Sequence, residues 1–351
     1  MEVDYIIVGS GLSGIAFADV ALSNKKSIVV FSDFSQNSSI IAGGLYNPVI
    51  LKRFSEVWNS RLQLDYMNYF YNQIESRLNS KFNFHLPILR KLHSIEEQNN
   101  WYLASDKLNL SNYLSSKLFT DKINYINSPF NFGQVLQSGY VDTNSFLTSY
   151  LNYLSSNNLL VNSRINYSSL DLNSGNIFYS GIKSKNIVFA EGFGLHSNPF
   201  FNYLPLDGTK GEVLVVKIPN FNLKYVLTSN IFIIPLGNDL YKVGATYEWN
   251  DKTAIPTKEG KKELISKLKE LVATDFEIVS HLAGVRPTVR DRKPLLGMHP
   301  ANNNMFVLNG MGTRGVMLAP VMAKNLFDYI EFGIPLDKVI DIKRYEKLYQ
   351  F

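Results

Sequence analysis

Residues 4–14, Asp-Tyr-Ile-Ile-Val-Gly-Ser-Gly-Leu-Ser-Gly, constrain this chain more than any other stretch. They read as a buried strand, a Gly-x-Gly-x-x-Gly turn and the start of a helix. Gly9 permits the tight turn, Gly11 lets backbone approach a pyrophosphate, and Gly14 lets helix and strand pack closely. The first helical N–H groups, with Leu12 and Ser13 among them, then face the anion with the positive end of the helix dipole. The motif means little alone, but a helix over 15–23 and a second apolar strand at 28–31 supply its context. An acid at the end of that second strand normally holds ribose hydroxyls. Here the slot holds Ser32, and Asp33 follows one residue later, so either Asp33 takes the role after a small shift or a hydroxyl or water does.

At 351 residues the chain exceeds the usual size of one core, which predicts two intertwined domains. It contains no cysteine, which excludes disulfides, thiolate catalysis and cysteine-ligated metals and predicts a reducing, cytoplasmic setting. The start of the chain enters a strand at once, which predicts no signal peptide. No apolar run reaches the length of a membrane span. A net charge of +5 is mild, compatible with anionic substrates or RNA but diagnostic of neither.

Small residues crowd 38–48, including Ser39, Ala42, Gly43 and Gly44, as where backbone passes close to a ligand. A helix over 57–78 is rich in aromatics that suit packing. Residues 80–137 read as short helices and loops without a chemical motif. His85 and His93 lie there without ligand partners at helical spacing, and no metal site is predicted. A helix over 144–156 is capped by Asp142 or Thr143. The strand 186–189 then runs into Ala190-Glu191-Gly192, which resumes the nucleotide-binding sheet late in the chain. Strands at 212–216, 232–235 and 241–246 form an antiparallel sheet, and a basic amphipathic helix covers 258–273. Near the C-terminus the strand 305–309 leads through Gly310-Met311-Gly312-Thr313-Arg314-Gly315 into a helix over 316–331, presenting a second helix N-terminus to the crevice. Lys52 and Arg53 read as a solvated surface pair, and Arg290 and Arg292 as solvent or ion-pair residues.

With these blocks in order, the chain resembles the D-amino-acid oxidase and glycine oxidase family of FAD enzymes. The likeness rests on the N-terminal motif, residues 39–47, Ala190-Glu191-Gly192, Lys210-Gly211-Glu212, Gly244-Ala245-Thr246, Gly284-Val285-Arg286-Pro287 with Asp291 and Pro294, and residues 310–320. Tyr46-Asn47-Pro48 and Gly312-Thr313-Arg314-Gly315 are similar to the FAD oxidase domain of the bifunctional enzymes that modify the tRNA wobble uridine. Glycine oxidases carry an arginine one position earlier, where this chain has Thr313.

The resemblance implies an α/β fold: a discontinuous Rossmann-like FAD-binding domain (1–80, 138–208 and 284–351) and a second, α+β substrate domain on an antiparallel sheet (81–137 and 209–283). It implies FAD held by Gly9, Gly11, Leu12, Ser13, Gly14, Asp33, Ser39, Ala42, Gly43, Gly44, Ile165, Ala190, Gly192, Gly312, Thr313, Arg314, Gly315, Val316 and Met317, with the backbone of residues 313–317 as donors to the flavin pyrimidine ring. The implied reaction oxidises the C–N bond of a small amino acid or secondary amine carrying a carboxylate, by hydride transfer to flavin N5 and reoxidation by oxygen. Arg286 is the implied carboxylate clamp, with Arg314 second, and Tyr46, Asn47 and Tyr247 on the substrate side. Two other readings stay open: removal of a carboxymethyl group from a modified tRNA wobble uridine, which needs a basic surface beside the crevice, and a flavin-binding module without turnover.

Overall fold

The computed structural model describes residues 1–172 and 175–349. Its main sheet runs in the order Leu160–Asn162, Ile28–Ser32, Glu2–Val8, Ile182–Phe189, Met305–Asn309, Leu295–Met298. The first five strands are parallel, Leu295–Met298 is antiparallel, and Ile177–Tyr179 adds an antiparallel branch on Ile182–Phe189. The first strand therefore sits mid-sheet, paired on both sides, with Tyr5 opposite Ile28 and Asn186.

Both faces of this sheet are covered, which is why its strands read as unbroken apolar runs. Tyr5, Ile7, Val30, Val188 and Leu308 face a core shared with helices Leu12–Ser23, Ser60–Leu78 and Gly315–Phe332. Ile6, Val8, Val29, Phe31, Ile187, Phe189 and Val307 face a second core with Leu195, Phe201, Leu204 and Leu206. Each of the large side chains buried there contributes on the order of 1.5–3 kcal/mol.

The second sheet has the order Glu277–Arg286, Thr209–Lys217, Leu240–Gly244, Phe232–Gly237, Val226–Thr228, Ile88–Lys91, Phe132–Val135. All its pairs are antiparallel except Val226–Thr228 with Ile88–Lys91. Helix Lys258–Leu271, capped by Thr257 Oγ1 on the Gly260 N–H, covers one face with Leu264, Leu268 and Leu271. The other face turns Gly211, Val213 and Phe232 toward a cavity.

Three differences from the sequence reading have local causes. Residues 80–137 hold the short strands Asn83–His85, Ile88–Lys91 and Phe132–Val135, whose partners are remote and leave no local pattern. The boundary placed at 284 falls inside the strand Glu277–Arg286, so Arg286 arrives from the antiparallel sheet. Helices expected over 15–23 and 316–331 begin earlier, at Leu12 and Gly315, because their glycine turns lead straight into the first helical turn.

Candidate functional site

One cavity of about 400 Å³ lies between the two sheets, at the C-terminal ends of the parallel strands. At its dinucleotide end, Gly9 has φ +103°, and a Cβ there would stand 2.4 Å from the Ala190 carbonyl oxygen. A Cβ on Gly14 would stand 1.9 Å from the Gly9 oxygen, so Gly14 is a packing glycine outside the cavity wall, a correction to its place among the cofactor contacts. Gly11 faces the cavity, and a Cβ there would meet only the Ser39 side chain. Helix Leu12–Ser23 carries no side-chain cap and no acid in its first turn. Leu12 N–H donates to Ser39 Oγ at 3.2 Å, and Ser13 lines the wall beside it. An uncapped helix start framed by small residues suits a diphosphate.

At the end of the second strand, Ser32 is buried and its Oγ accepts from Ser10 Oγ at 2.7 Å and Phe34 N–H at 3.2 Å. Asp33 lines the wall one residue later. Burial raises its carboxyl, but the hydrogen bonds from Ser35 and the charge of Arg164 outweigh this and hold it below the usual carboxylate range. Ile165, Ala190 and Gly192 complete this end, as do Tyr167 and Glu191, which sequence reasoning left out. Burial pushes the Glu191 carboxyl up to about 7, against hydrogen bonds from the Tyr167 hydroxyl and from Asn198 Nδ2 at 2.7 Å.

Ala42, Gly43 and Gly44 line the middle of the cavity, with Gly43 against Phe232. Gly312, Thr313, Arg314, Gly315, Val316 and Met317 all reach it from the last helix start, which has no side-chain cap. The donor set of 313–317 needs correction, since Arg314 N–H donates to Met311 O and Met317 N–H to Arg314 O. Thr313, Gly315 and Val316 remain as donors without a backbone acceptor among the described residues. The Val316 carbonyl is held by the buried Tyr71 hydroxyl at 3.0 Å.

Arg286 enters at the far end. Its guanidinium donates to the Lys210 carbonyl at 3.3 Å and to the Thr246 carbonyl at 3.3 and 3.4 Å, and its Cζ lies 4.6 Å from the Tyr247 ring centre. Gly211 makes the room: a Cβ there would sit 1.9 Å from Arg286 Nη2. Arg314 lines the same cavity. Burial lowers both arginines, with Tyr247 pulling each back toward its charged form. Neither makes an ion pair among the described residues, and Asp291 pairs with Arg344 instead. Tyr247 is 62% exposed at the mouth. Asn47 lines the wall, but its Oδ1 accepts the Val49 N–H at 2.8 Å. The Tyr46 hydroxyl is engaged by His85 Nδ1 at 2.9 Å and by the Phe84 carbonyl. Lys52, Arg53, Arg290 and Arg292 are exposed. Lys293 Nζ lies 4.3 Å from the Trp58 ring centre.

A dinucleotide site on a parallel sheet, opening onto an antiparallel sheet that brings in Arg286, suits an oxidoreductase of the dinucleotide-dependent class. The profile of the DAO family, FAD dependent oxidoreductase, matches residues 4–329. The chain belongs to this family, whose cofactor is FAD. The site residues fit that cofactor: two uncapped helix starts and a glycine-lined wall face one cavity. The chain is 31% identical over 144 residues to a glycine oxidase of Bacillus licheniformis, covering 39% of each protein. It is 28% identical over 129 residues to the tRNA 5-methylaminomethyl-2-thiouridine biosynthesis bifunctional protein MnmC of Idiomarina loihiensis, covering 35% of this chain and 21% of that one. The matched parts thus span well under half of these relatives. The fold is that of glycine oxidase from Geobacillus kaustophilus (TM-score 0.79, 18% identity, 98% of each chain). It is also that of iminodiacetate oxidase from Chelativorans sp. BNC1 (TM-score 0.77, 16% identity, 97% and 98%). No helix of the described residues is long and apolar enough to cross a membrane.

Proposed function

We propose that the protein is an FAD-dependent oxidase of a small amino acid or secondary amine that carries a carboxylate. The observation that carries this reading is the pair of arginines, Arg286 and Arg314, lining one cavity with the dinucleotide site and lacking a carboxylate partner among the described residues. Desolvated guanidinium without a counter-ion is costly, and a substrate carboxylate bound in fork geometry relieves that cost. Arg286 holds the carboxylate. Its backbone-bonded edge and the Tyr247 face fix its plane, leaving its remaining N–H groups for the ligand. Gly9, Gly11, Leu12, Ser13 and Ser39 hold the diphosphate, Asp33 and Ile165 the adenosine, and Ala42, Gly43, Gly44 and the 312–317 turn the flavin. FAD supplies the acceptor for the hydride of the carbon next to nitrogen and returns the electrons to oxygen. The Gly315 and Val316 N–H groups and the helix dipole behind them favour negative charge at that end. The two-domain division, with the parallel sheet as cofactor domain and the antiparallel sheet as substrate domain, is part of this proposal, as is a cytoplasmic location.

A second reading has its own support. The mouth is open at Tyr247, and the exposed Arg292 adds a second positive charge near Arg314. That mouth suits a glycine unit attached to a larger anion, such as a carboxymethylaminomethyl base in tRNA, the subject of the MnmC relatives' names.

An anaerobic visible spectrum during titration with small amino and imino acids tests the first reading. Bleaching of the flavin bands by one of them supports it. Bands that persist with every small amine but bleach with modified tRNA transfer support to the second. Bands that persist with both leave the non-catalytic flavin module, and overturn both.

A further inference from the structure

Strand Thr209–Lys217 places Lys210 and Glu212 on one face and Gly211 on the other, since side chains alternate along a strand. The Gly211 face holds Arg286 and the cavity. The opposite face is an ionic cluster that the reaction does not use. Lys210 is 0% exposed, its ammonium bound to the Asp251 carboxylate and the Ile255 carbonyl, with Glu212 Oε1 at 3.9 Å. Glu212, also buried, accepts the Thr257 N–H at 3.0 Å, the Thr257 hydroxyl at 2.7 Å and His281 Nε2 at 2.6 Å. Asp251 and Thr257 belong to one largely exposed segment, 247–257, which begins with Tyr247. Two neighbouring strand residues thus tie down that segment along its length. Its start is laddered to Lys210 through Glu248, N–H to O at 2.9 and 3.0 Å in the two directions.

The carbonyls that orient Arg286 belong to Lys210 and Thr246, at the root of this segment, and the ring on its guanidinium is Tyr247. Their hydrogen bonds to Arg286 are long, 3.3–3.4 Å, so the guanidinium plane depends on the segment staying in place. Burying the Lys210 ammonium costs desolvation that its bond to the 34% exposed Asp251 carboxylate repays only in part, which points to orientation as its use.

We infer that Lys210 and Asp251 are positioning residues: the bond from the buried Lys210 ammonium to the half-buried Asp251 carboxylate straps residues 247–257 to the sheet, and so holds Tyr247 and the Arg286 guanidinium in the plane that receives a substrate carboxylate. The inference rests on the proposed role of Arg286.

The test uses the FAD-bound full chain, with Lys210→Met and Asp251→Asn, and glycolate as a carboxylate probe read by perturbation of the flavin spectrum. Acetamide serves as the uncharged control, FAD affinity is measured on the apoprotein, and amide exchange is followed over 247–257. The strap predicts that both variants keep FAD affinity within about threefold, weaken glycolate by about tenfold or more, leave acetamide unchanged and speed exchange in 247–257. The double variant is then no worse than the worse single one, since either change breaks the same pair. Glycolate affinity within about twofold of the parent in both FAD-bound variants overturns the strap alone. Loss of FAD from both variants makes the pair a general fold element and also overturns it. A parent protein that binds FAD but not glycolate overturns the clamp, and the strap with it.

Discussion

Arg286 can serve as a clamp because its neighbours leave it room and no anion. Substituting alanine removes charge-assisted bonds of about 1.5–3 kcal/mol each, so kcat/KM for a carboxylate substrate falls by about a hundredfold or more while FAD stays bound. Arg286→Lys keeps the charge but loses the planar fork and recovers only part of this loss. Gly211→Ala produces the same phenotype without touching a charge, because its new Cβ stands 1.9 Å from Arg286 Nη2; steady-state kinetics beside FAD titration checks all three. Glu191 predicts a pH effect. Its pKa rises from 4.5 to about 7 in the folded state, so the folded chain keeps a proton that the unfolded chain loses. That contribution to stability is complete below pH 4.5 and disappears as pH rises through about 7. The parent Tm should therefore fall across this window more steeply than that of Glu191→Gln, with Asp33 and Arg164 as the neighbouring charges in both.

At the scale of elements, neither helix start that faces the cavity is capped by its own N-cap residue: Gly11 and Arg314 supply no side-chain cap, and among the described residues only the Leu12 N–H finds a side-chain acceptor, Ser39 Oγ. Leaving the first N–H groups unsatisfied is destabilising unless an anion or polar ligand takes them. Helix Lys258–Leu271, remote from the cofactor wall, is capped conventionally by Thr257. Thr257→Ala removes that cap and a hydrogen bond to buried Glu212, and costs about 1–2 kcal/mol in chemical denaturation. Gly14→Val belongs to a different class. Its side chain would collide with the Gly9 backbone, so strand, turn and helix lose their packing and the protein no longer retains FAD on gel filtration. The glycine turns were legible because their chemistry is local. The strands Ile88–Lys91 and Phe132–Val135 were not, because each pairs with a partner far along the chain.

At the scale of the molecule, the cavity lies between two sheets built from interleaved segments, so ligand binding and folding are coupled. FAD at a hundredfold excess over its Kd should add about 2.7 kcal/mol. For 351 residues at about 2.1 cal/mol/K each, that raises Tm by about 4 °C in a thermal scan. The sequence by itself determined the parallel sheet, its dinucleotide turn, the late return of strands 186–189 and 305–309 to that sheet, and the likeness to FAD oxidases. These follow from apolar runs and glycine spacings that act within a few residues. Only the tertiary structure decided that Met317 N–H is already engaged and that Arg286 comes from the antiparallel sheet. It alone placed Lys210 and Glu212 behind the site as anchors of 247–257. Those outcomes depend on which face of a strand meets which neighbour. A sequence pattern states the alternation of faces but not what stands opposite them.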